Sequence, residues 1–174
     1  MYNFTRRKIL TSCAAAAISG TLAGCSDLSV EAVPGNLTAA AVPDLKTTNG
    51  FAVNGFTAND LAGRKSLIVG FASWCPYCRK QHDRLMALRR TIYAPIFGIV
   101  VSDSATNTAQ FLNKAGNPFT AVGYDPKGEI TVSLGQTGLP FTLVVDQQLN
   151  IAAAYPGELT AEHVDPIVNL LKTA

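Results

Sequence analysis

Apolar runs alternate with amphipathic stretches along this chain from about residue 43 onward. Continuous apolar runs at 67–72 and 96–101 predict strands that are buried on both faces, because a half-buried strand would alternate apolar and polar positions. The other predicted strands lie at 120–124, 141–145 and 151–155, with a turn at 146–150 that joins the last two in a hairpin.

Helices are predicted between these strands. The first begins at Pro76, since proline suits the first turn of a helix, and runs to about residue 90 with Leu85 and Leu88 on its inner face. Further helices are predicted from a cap at 102–104 through residue 115, at 129–134, and from a cap at Thr160 to residue 172. This order predicts an α/β fold in which a central mixed sheet carries helices on both faces.

Residues 1–24 have the pattern of an export signal. Three basic residues at 6–8 precede an uncharged stretch at 9–22 that is too short for an ordinary membrane span. The four residues that follow, Leu22-Ala23-Gly24-Cys25, resemble the bacterial lipoprotein cleavage box, which predicts that Cys25 becomes the lipidated first residue of the mature protein. An ordinary signal that leaves Cys25 as an exposed thiol is the alternative.

The N-terminal region also predicts how the chain is organised. The segment around Arg6 and Arg7 resembles a twin-arginine export signal, with a plain basic n-region as the alternative. Residues 25–42 are small and weakly patterned, which is typical of a tether between a lipid and a domain. The predicted organisation is therefore a signal peptide (1–24), a lipid-anchored linker (25–42) and one folded domain (43–174).

The positive charge of the chain belongs to the signal. The whole chain has 14 Lys and Arg against 12 Asp and Glu, and three of the basic residues lie in residues 1–24, so the mature protein has a net charge of −1. No run of basic residues is interleaved with aromatic ones, so we expect no nucleic-acid partner.

Two of the four cysteines remain as thiols after processing and lipidation. Cys75 and Cys78 form a C-x-x-C motif between a predicted strand and a predicted helix, a pattern typical of redox centres. Unpaired N–H groups at the start of the helix stabilise a thiolate, so Cys75 is predicted to attack a substrate disulfide and Cys78 to resolve the mixed disulfide. A closed structural disulfide is the alternative.

Residues around the motif are predicted to complete the site. Trp74 is expected to cover the disulfide, or alternatively only to pack at the end of the strand, and the two residues between the cysteines, Pro76 and Tyr77, are expected to tune the redox potential. Pro140 immediately precedes a β-rich run and is a candidate for a cis peptide bond with Leu139, with a trans proline at the start of an edge strand as the alternative.

The sequence predicts neither a metal site nor a cofactor. His82 lies four positions after Cys78, and this arrangement supplies three ligands where a closed structural zinc site needs four. We therefore expect His82 to be a solvated residue of its helix and His163 to lie at the surface. The basic residues at positions 79, 80 and 84 are predicted to form a solvated helix face.

Three stretches, in order along the chain, carry a resemblance to a known family. Residues 71–79 (FASWCPYCR) resemble the active site of the extracytoplasmic thioredoxin-like reductases of the TlpA and ResA type, which include the DsbE (CcmG) proteins. Residues 111–119 (FLNKAGNPF) are similar to the W-L-N-x-x-G-N-P-Y segment of DsbE, and residues 134–142 (LGQTGLPFT) resemble its L-G-V-x-G-x-P-E-T segment. The resemblance spans roughly residues 43–172.

The resemblance implies a thioredoxin-like fold and a thiol-disulfide oxidoreductase, more specifically a reductase of protein disulfides on the periplasmic side of a bacterial membrane. It implies that Pro140 faces the cysteines and that the backbone at Leu139 pairs with the substrate chain. The implied partners are a disulfide-bonded protein, which for DsbE is apocytochrome c or a factor that presents it to haem, and a membrane thiol transporter that supplies electrons.

Several positions depart from the family pattern. Val69 stands where thioredoxin carries a buried Asp, Gln81 where the ResA type carries Glu, and Phe141 where DsbE carries Glu, so the usual proton acceptor for Cys78 is missing. The Cys-Pro-Tyr-Cys sequence is that of glutaredoxins, which are less reducing than thioredoxin. A disulfide oxidase or isomerase, and a non-catalytic metal- or haem-handling module on the same fold, are therefore the alternatives.

Overall fold

The computed structural model describes residues 55–172. The predicted signal peptide (1–24), the linker that includes Cys25 and the first part of the predicted domain (43–54) lie outside the described residues. None of the described helices is both long enough and apolar enough to cross a membrane.

A five-stranded mixed sheet forms the centre of the described domain. Its strands are β1 (Ser66–Phe71), β2 (Ile96–Val101), β3 (Ala121–Asp125), β4 (Phe141–Val145) and β5 (Ile151–Pro156). Their order across the sheet is β3-β2-β1-β4-β5, so the first strand along the chain is the middle one. β1 pairs in parallel with β2, and β2 with β3, whereas β4 is antiparallel to both β1 and β5.

Helices cover both faces of this sheet. They are α1 (Ala58–Leu61), α2 (Pro76–Thr91), α3 (Ala105–Ala115), α4 (Glu129–Ser133) and α5 (Val164–Lys172), with a 3-10 turn at Ala161–His163 ahead of α5. Successive residues of a strand point to opposite faces, and in β1 both faces are buried. Val69 packs in one apolar layer with α2, α3 and α5, and Ile68 packs in the other layer with α1 and α4.

The C-x-x-C motif lies at the carboxyl end of the central strand. β1 ends at Phe71 and α2 begins at Pro76, so residues 72–75 turn the chain from the sheet into the helix. The carboxyl ends of parallel strands are the edge of an α/β sheet where functional sites form. The two cysteines therefore lie at the middle of this edge, between the loop that follows the parallel strand β2 and the loop that precedes the antiparallel strand β4.

The predicted α/β fold is confirmed, and each predicted strand agrees with the observed one to within one residue at either end. The sequence does not predict α1, because four residues are too few for a periodic apolar pattern, although the capping box of Thr57 and Asp60 marks its start. The last helix begins later than predicted, because residues 161–163 form the 3-10 turn.

Replacement of Gly70 by Ala tests how tightly β1 packs against β4. A Cβ atom at Gly70 would lie 1.9 Å from the ring of Phe141, whose side chain is fully buried, so the ring or the backbone must shift. We expect Gly70→Ala to lower the free energy of unfolding by about 3 kcal/mol, the upper part of the range for overpacking. Urea unfolding measures this change. Gly138→Ala is the control, since a Cβ there has no atom within 4 Å, and a similar loss in both variants would contradict the explanation.

Candidate active site

The two cysteines occupy the first turn of α2. Cys75 is the N-cap residue, and its Sγ accepts a hydrogen bond from the backbone N–H of Cys78 at 3.3 Å. Pro76 follows in the first helical position, where its missing N–H leaves no helical bond unmade. Both cysteines are free thiols and both are buried. The structure therefore aims an N–H group of the helix start at the sulfur of Cys75, which is the arrangement that stabilises a thiolate.

Cys78 has a different electrostatic environment. Burial raises the pKa of the Cys78 thiol far above its ordinary value, and the hydrogen bond and charge of the neighbouring Cys75 raise it further. The groups that shift this pKa are Cys75 and nearby backbone, and none is a carboxylate. Cys78 is therefore a protonated thiol at neutral pH, and it becomes a nucleophile only after its proton has left.

The positions that carry acids in related folds are apolar or neutral here, as the sequence indicates. Val69 is buried in the same apolar layer as both cysteines. Gln81 is fully buried, and its Oε1 accepts a hydrogen bond from the N–H of Leu159 at 2.9 Å. Phe141 lies in the apolar layer on the opposite face of the sheet. Gln81 thus holds the loop ahead of α5 against α2 instead of accepting a proton.

The loop that follows β2 fastens the segment just before the cysteines. Trp74 donates from its ring Nε1 to the carbonyl oxygen of Ser102 at 3.0 Å, although 56% of its side chain remains exposed. Asp103, the next residue of that loop, accepts a hydrogen bond from the backbone N–H of Ser73 at 2.6 Å. Residues 73 and 74, which lead into the C-x-x-C motif, are therefore held by residues 102 and 103 of the loop that follows β2.

Asp103 is a site residue that the sequence did not identify. Its carboxylate also accepts from the N–H of Ser104 at 2.7 Å and from the hydroxyl of Thr108 at 3.2 Å. The sequence predicts residues 102–104 only as helix caps, and Ser104 is indeed the N-cap of α3. The sequence feature that could have identified Asp103 is its position, because it is the first charged residue after a buried strand at the functional edge of the sheet.

Arg79 binds the second backbone polar group of Ser73, its carbonyl oxygen. Its Nε donates to the carbonyl oxygen of Ser73, while its own backbone N–H donates to the carbonyl of Cys75 at 3.1 Å. Both backbone polar groups of Ser73 are thus bound by charged side chains from other elements. Tyr77, between the two cysteines, is 62% exposed and leaves the top of the first turn open to a partner.

The loop before β4 carries the predicted cis proline. The Leu139–Pro140 peptide bond is cis, as the sequence predicts. Pro140 is buried, and its carbonyl oxygen accepts from the N–H of Gly157 at 2.8 Å, which joins this loop to the end of β5. Leu139 is half-buried and packs against both apolar layers of the domain.

Two expectations about α2 are wrong. His82 is buried, not solvated: its Nε2 donates to the carbonyl of Gly116 at 3.0 Å, and its ring meets the edge of Phe111 at a centroid distance of 4.8 Å. The reason is that α3 and its end pack over this side of α2. Arg84 is only half-exposed, because it donates to the carbonyl of Leu159 and pairs with Glu158.

Three other polar residues of the predicted surface, Arg79, Lys80 and His163, agree more closely with expectation. Arg79 and Lys80 are exposed. His163 is partly exposed, and its Nδ1 accepts from the N–H of Thr160 at 3.0 Å. Within residues 55–172, His, Cys, Asp and Glu side chains form no group of three or more that could hold a metal ion.

Replacement of Asp103 by Ala tests its hold on the active-site backbone. The change leaves the N–H of Ser73 without its carboxylate acceptor, so we expect the free energy of unfolding to fall by about 1–3 kcal/mol in urea titration. Asp83→Ala is the matched control, because Asp83 is exposed on α2 and its loss should change stability by no more than about 0.5 kcal/mol. Equal effects of the two changes would show that Asp103 has no special structural role.

The raised pKa of Cys78 predicts unequal reactivity of the two thiols. A raised pKa favours the protonated form, so at pH 7–9 we expect iodoacetamide to modify Cys75 in Cys78→Ser at least about tenfold faster than Cys78 in Cys75→Ser. Burial is the largest cause of the shift and persists in the second variant. Mass spectrometry follows the labelling. In urea the two variants should react alike, and equal rates in the folded proteins would refute the assignment of roles.

Comparison with known proteins identifies the family of this chain. The family model described as Redoxin matches residues 38–171. The probable thiol:disulfide interchange protein DsbE-2 of Pasteurella multocida is 40% identical over 106 residues, which cover 61% of this chain and 55% of that protein. The thiol:disulfide interchange protein DsbE of Allochromatium vinosum is 33% identical over 132 residues, which cover 74% of this chain and 71% of that protein.

A solved structure supports the same relationship. The crystal structure of a secreted thiol-disulfide isomerase from Corynebacterium glutamicum superimposes with a TM-score of 0.57 at 26% identity, over 68% of this chain and 77% of that one. The alignment with the Pasteurella protein covers only about half of that relative's length. Sequence and fold agree, and the chain belongs to the redoxin family, among the DsbE-type thiol:disulfide interchange proteins.

Proposed function

We propose that this protein is an extracytoplasmic thiol-disulfide oxidoreductase that reduces disulfide bonds in other proteins. The observation that carries the proposal is the unequal cysteine pair at the start of α2. Cys75 accepts an N–H bond at its sulfur, whereas burial keeps Cys78 protonated. Membership of the DsbE-type proteins supports the same reaction class.

The reaction balances as two thiol-disulfide exchanges. The Cys75 thiolate attacks one sulfur of the substrate disulfide, so that a mixed disulfide forms and the other substrate sulfur leaves as a thiolate that takes up a proton. Cys78 then loses its proton and attacks the Cys75 sulfur, which releases the second substrate thiol. The substrate gains two electrons and two protons, and the protein ends with a Cys75–Cys78 disulfide.

The mixed disulfide itself can raise the reactivity of Cys78. In the dithiol state, the hydrogen bond and charge of Cys75 both raise the pKa of Cys78. Once Cys75 is bonded to substrate, its thiolate charge is gone and that part of the shift disappears. Burial, the largest cause of the raised pKa, remains in the mixed disulfide, so the loss of the Cys75 charge relieves only part of the restraint on Cys78.

The proposed setting is the periplasmic side of a bacterial membrane. The lipoprotein-like box that ends at Cys25 supports a lipid anchor, and a cysteine carrying two or more acyl chains would hold the domain permanently. The resemblance of residues 111–119 and 134–142 to DsbE supports a place in cytochrome c maturation, with apocytochrome c or a factor that presents it as substrate. A membrane thiol transporter would then return the pair to the reduced state.

A disulfide oxidase or isomerase is the second candidate. The glutaredoxin-type Cys-Pro-Tyr-Cys sequence favours it, as do the neutral residues Val69 and Gln81 at positions where related folds carry acids. The similarity to the Corynebacterium protein named as an isomerase points the same way.

The reduction potential of the Cys75–Cys78 pair decides between these candidates. We expect a value near or below about −230 mV when the purified protein is equilibrated with glutathione, which suits a reductase, whereas a value near −120 mV, typical of strong oxidants, would overturn the proposal. Trp74 is the only tryptophan of the chain and reports the transition by fluorescence. Cys75→Ser is the control and should give no transition.

A further inference from the structure

A cleft opens beside the cysteines on the side of α3. It has a volume of about 570 Å³, within the range of ordinary ligand sites. Its principal walls are Trp74 and Arg79 on one side and Asn107, Gln110, Phe111 and Lys114 on the other. Trp74, which forms part of one wall, immediately precedes Cys75 in the chain, so the cleft lies beside the C-x-x-C motif.

The α3 wall is one continuous stripe of the helix. Residues 107, 110, 111 and 114 are spaced by three or four positions, which places them on the same face. The buried contact of His82 with Phe111 and Gly116 fixes this face relative to α2. The bond from Trp74 to the carbonyl of Ser102 fixes the opposite wall. Contacts within the domain therefore hold both walls of the cleft in place, and no bound partner is needed to form it.

The charged groups of the cleft are all positive. Arg79 and Lys114 line it, and neither forms an ion pair with any carboxylate in the part of the chain that the structure describes. On the other side of α2, by contrast, a basic residue has an acidic partner, because Lys80 forms an ion pair with Glu158 at 3.0 Å. The nearby carboxylate of Asp103 is already engaged by three donors.

We propose that this cleft binds an acidic segment of the substrate protein, next to the cysteine that Cys75 attacks. The inference rests on the proposed reductase function and names its substrate class. Arg79 and Lys114 would pair with carboxylates of the segment, and the amides of Asn107 and Gln110 would hydrogen-bond to its backbone. Trp74 and Phe111 supply apolar surface for its side-chain stems.

This arrangement acts mainly on the rate of encounter. A cleft lined by charge of one sign attracts a segment of the opposite sign before contact, and added salt screens that attraction. Acidic substrates should therefore reach Cys75 faster than neutral or basic ones, although the chemistry at sulfur is the same.

Peptide disulfides of equal length test the proposal. Each carries one cystine flanked by Glu, Gln or Lys, and stopped-flow fluorescence of Trp74 follows its reduction by the reduced protein. We expect the Glu peptide to react about tenfold faster than the Lys peptide at low salt, with the ratio falling towards one at high salt. Equal rates for the three peptides at low salt would overturn the proposal.

A matched pair of charge reversals locates the effect. Lys114 and Lys172 both stand in the last turn of an exposed helix end, but only Lys114 lines the cleft. Lys114→Glu should abolish or reverse the preference for the Glu peptide, and Lys172→Glu should leave it intact. If both reversals change the preference equally, the effect comes from overall charge and the cleft is not its source.

A binding measurement separates this inference from the proposed function. Peptides in which Ser replaces each cysteine cannot react, so quenching of Trp74 fluorescence reports their binding alone. We expect the Glu peptide to bind more tightly than the Lys peptide, and Lys114→Glu to remove the difference. Failure to reduce any disulfide, together with retained binding selectivity, would overturn only the reductase function. Reduction without any selectivity in rate or binding would overturn only the cleft.

Discussion

Burial of the central strand on both faces is the constraint on which this domain depends. β1 lies between β2 and β4, and its side chains meet helices above and below the sheet. A strand in that position can be neither displaced nor shifted in register without exposing apolar surface on two faces. Its carboxyl end is therefore a fixed point, and the turn at 72–75 starts α2 and the cysteines from that point.

Next to this fixed point, two thiols three positions apart lie in different electrostatic environments. Cys75 receives an N–H group from the helix it caps, whereas Cys78 is one turn deeper and its pKa is raised mainly by loss of solvent. Asp103 and Arg79 bind the backbone of Ser73, and the carbonyl of Ser102 accepts from the side chain of Trp74. These bonds hold the segment that leads into α2, so the difference between the thiols is built into the position of that helix. Neither thiol needs a neighbouring carboxylate to acquire its role.

The sequence predicts well whatever depends on local pattern. Continuous apolar runs identify the strands, Pro76 marks the start of α2, and Pro140 before a β-rich run indicates the cis bond. Contacts between elements distant in sequence leave no such pattern. The burial of His82 depends on residues 111 and 116, and the role of Asp103 depends on Ser73, thirty positions earlier. The family resemblance gives the fold and reaction class but not these contacts.

The amide of Gln81 has a wider consequence for how such a site can be adapted. Gln81 is fully buried in α2, three positions after Cys78, and accepts a hydrogen bond from the N–H of Leu159. A carboxylate there would bring a charge that responds to the pH of the surroundings. An amide does not titrate in the physiological pH range, so this position carries no charge that changes with pH. Gln81 therefore contributes a structural hydrogen bond and no charge, so this position adds no pH-dependent electrostatic influence to the site.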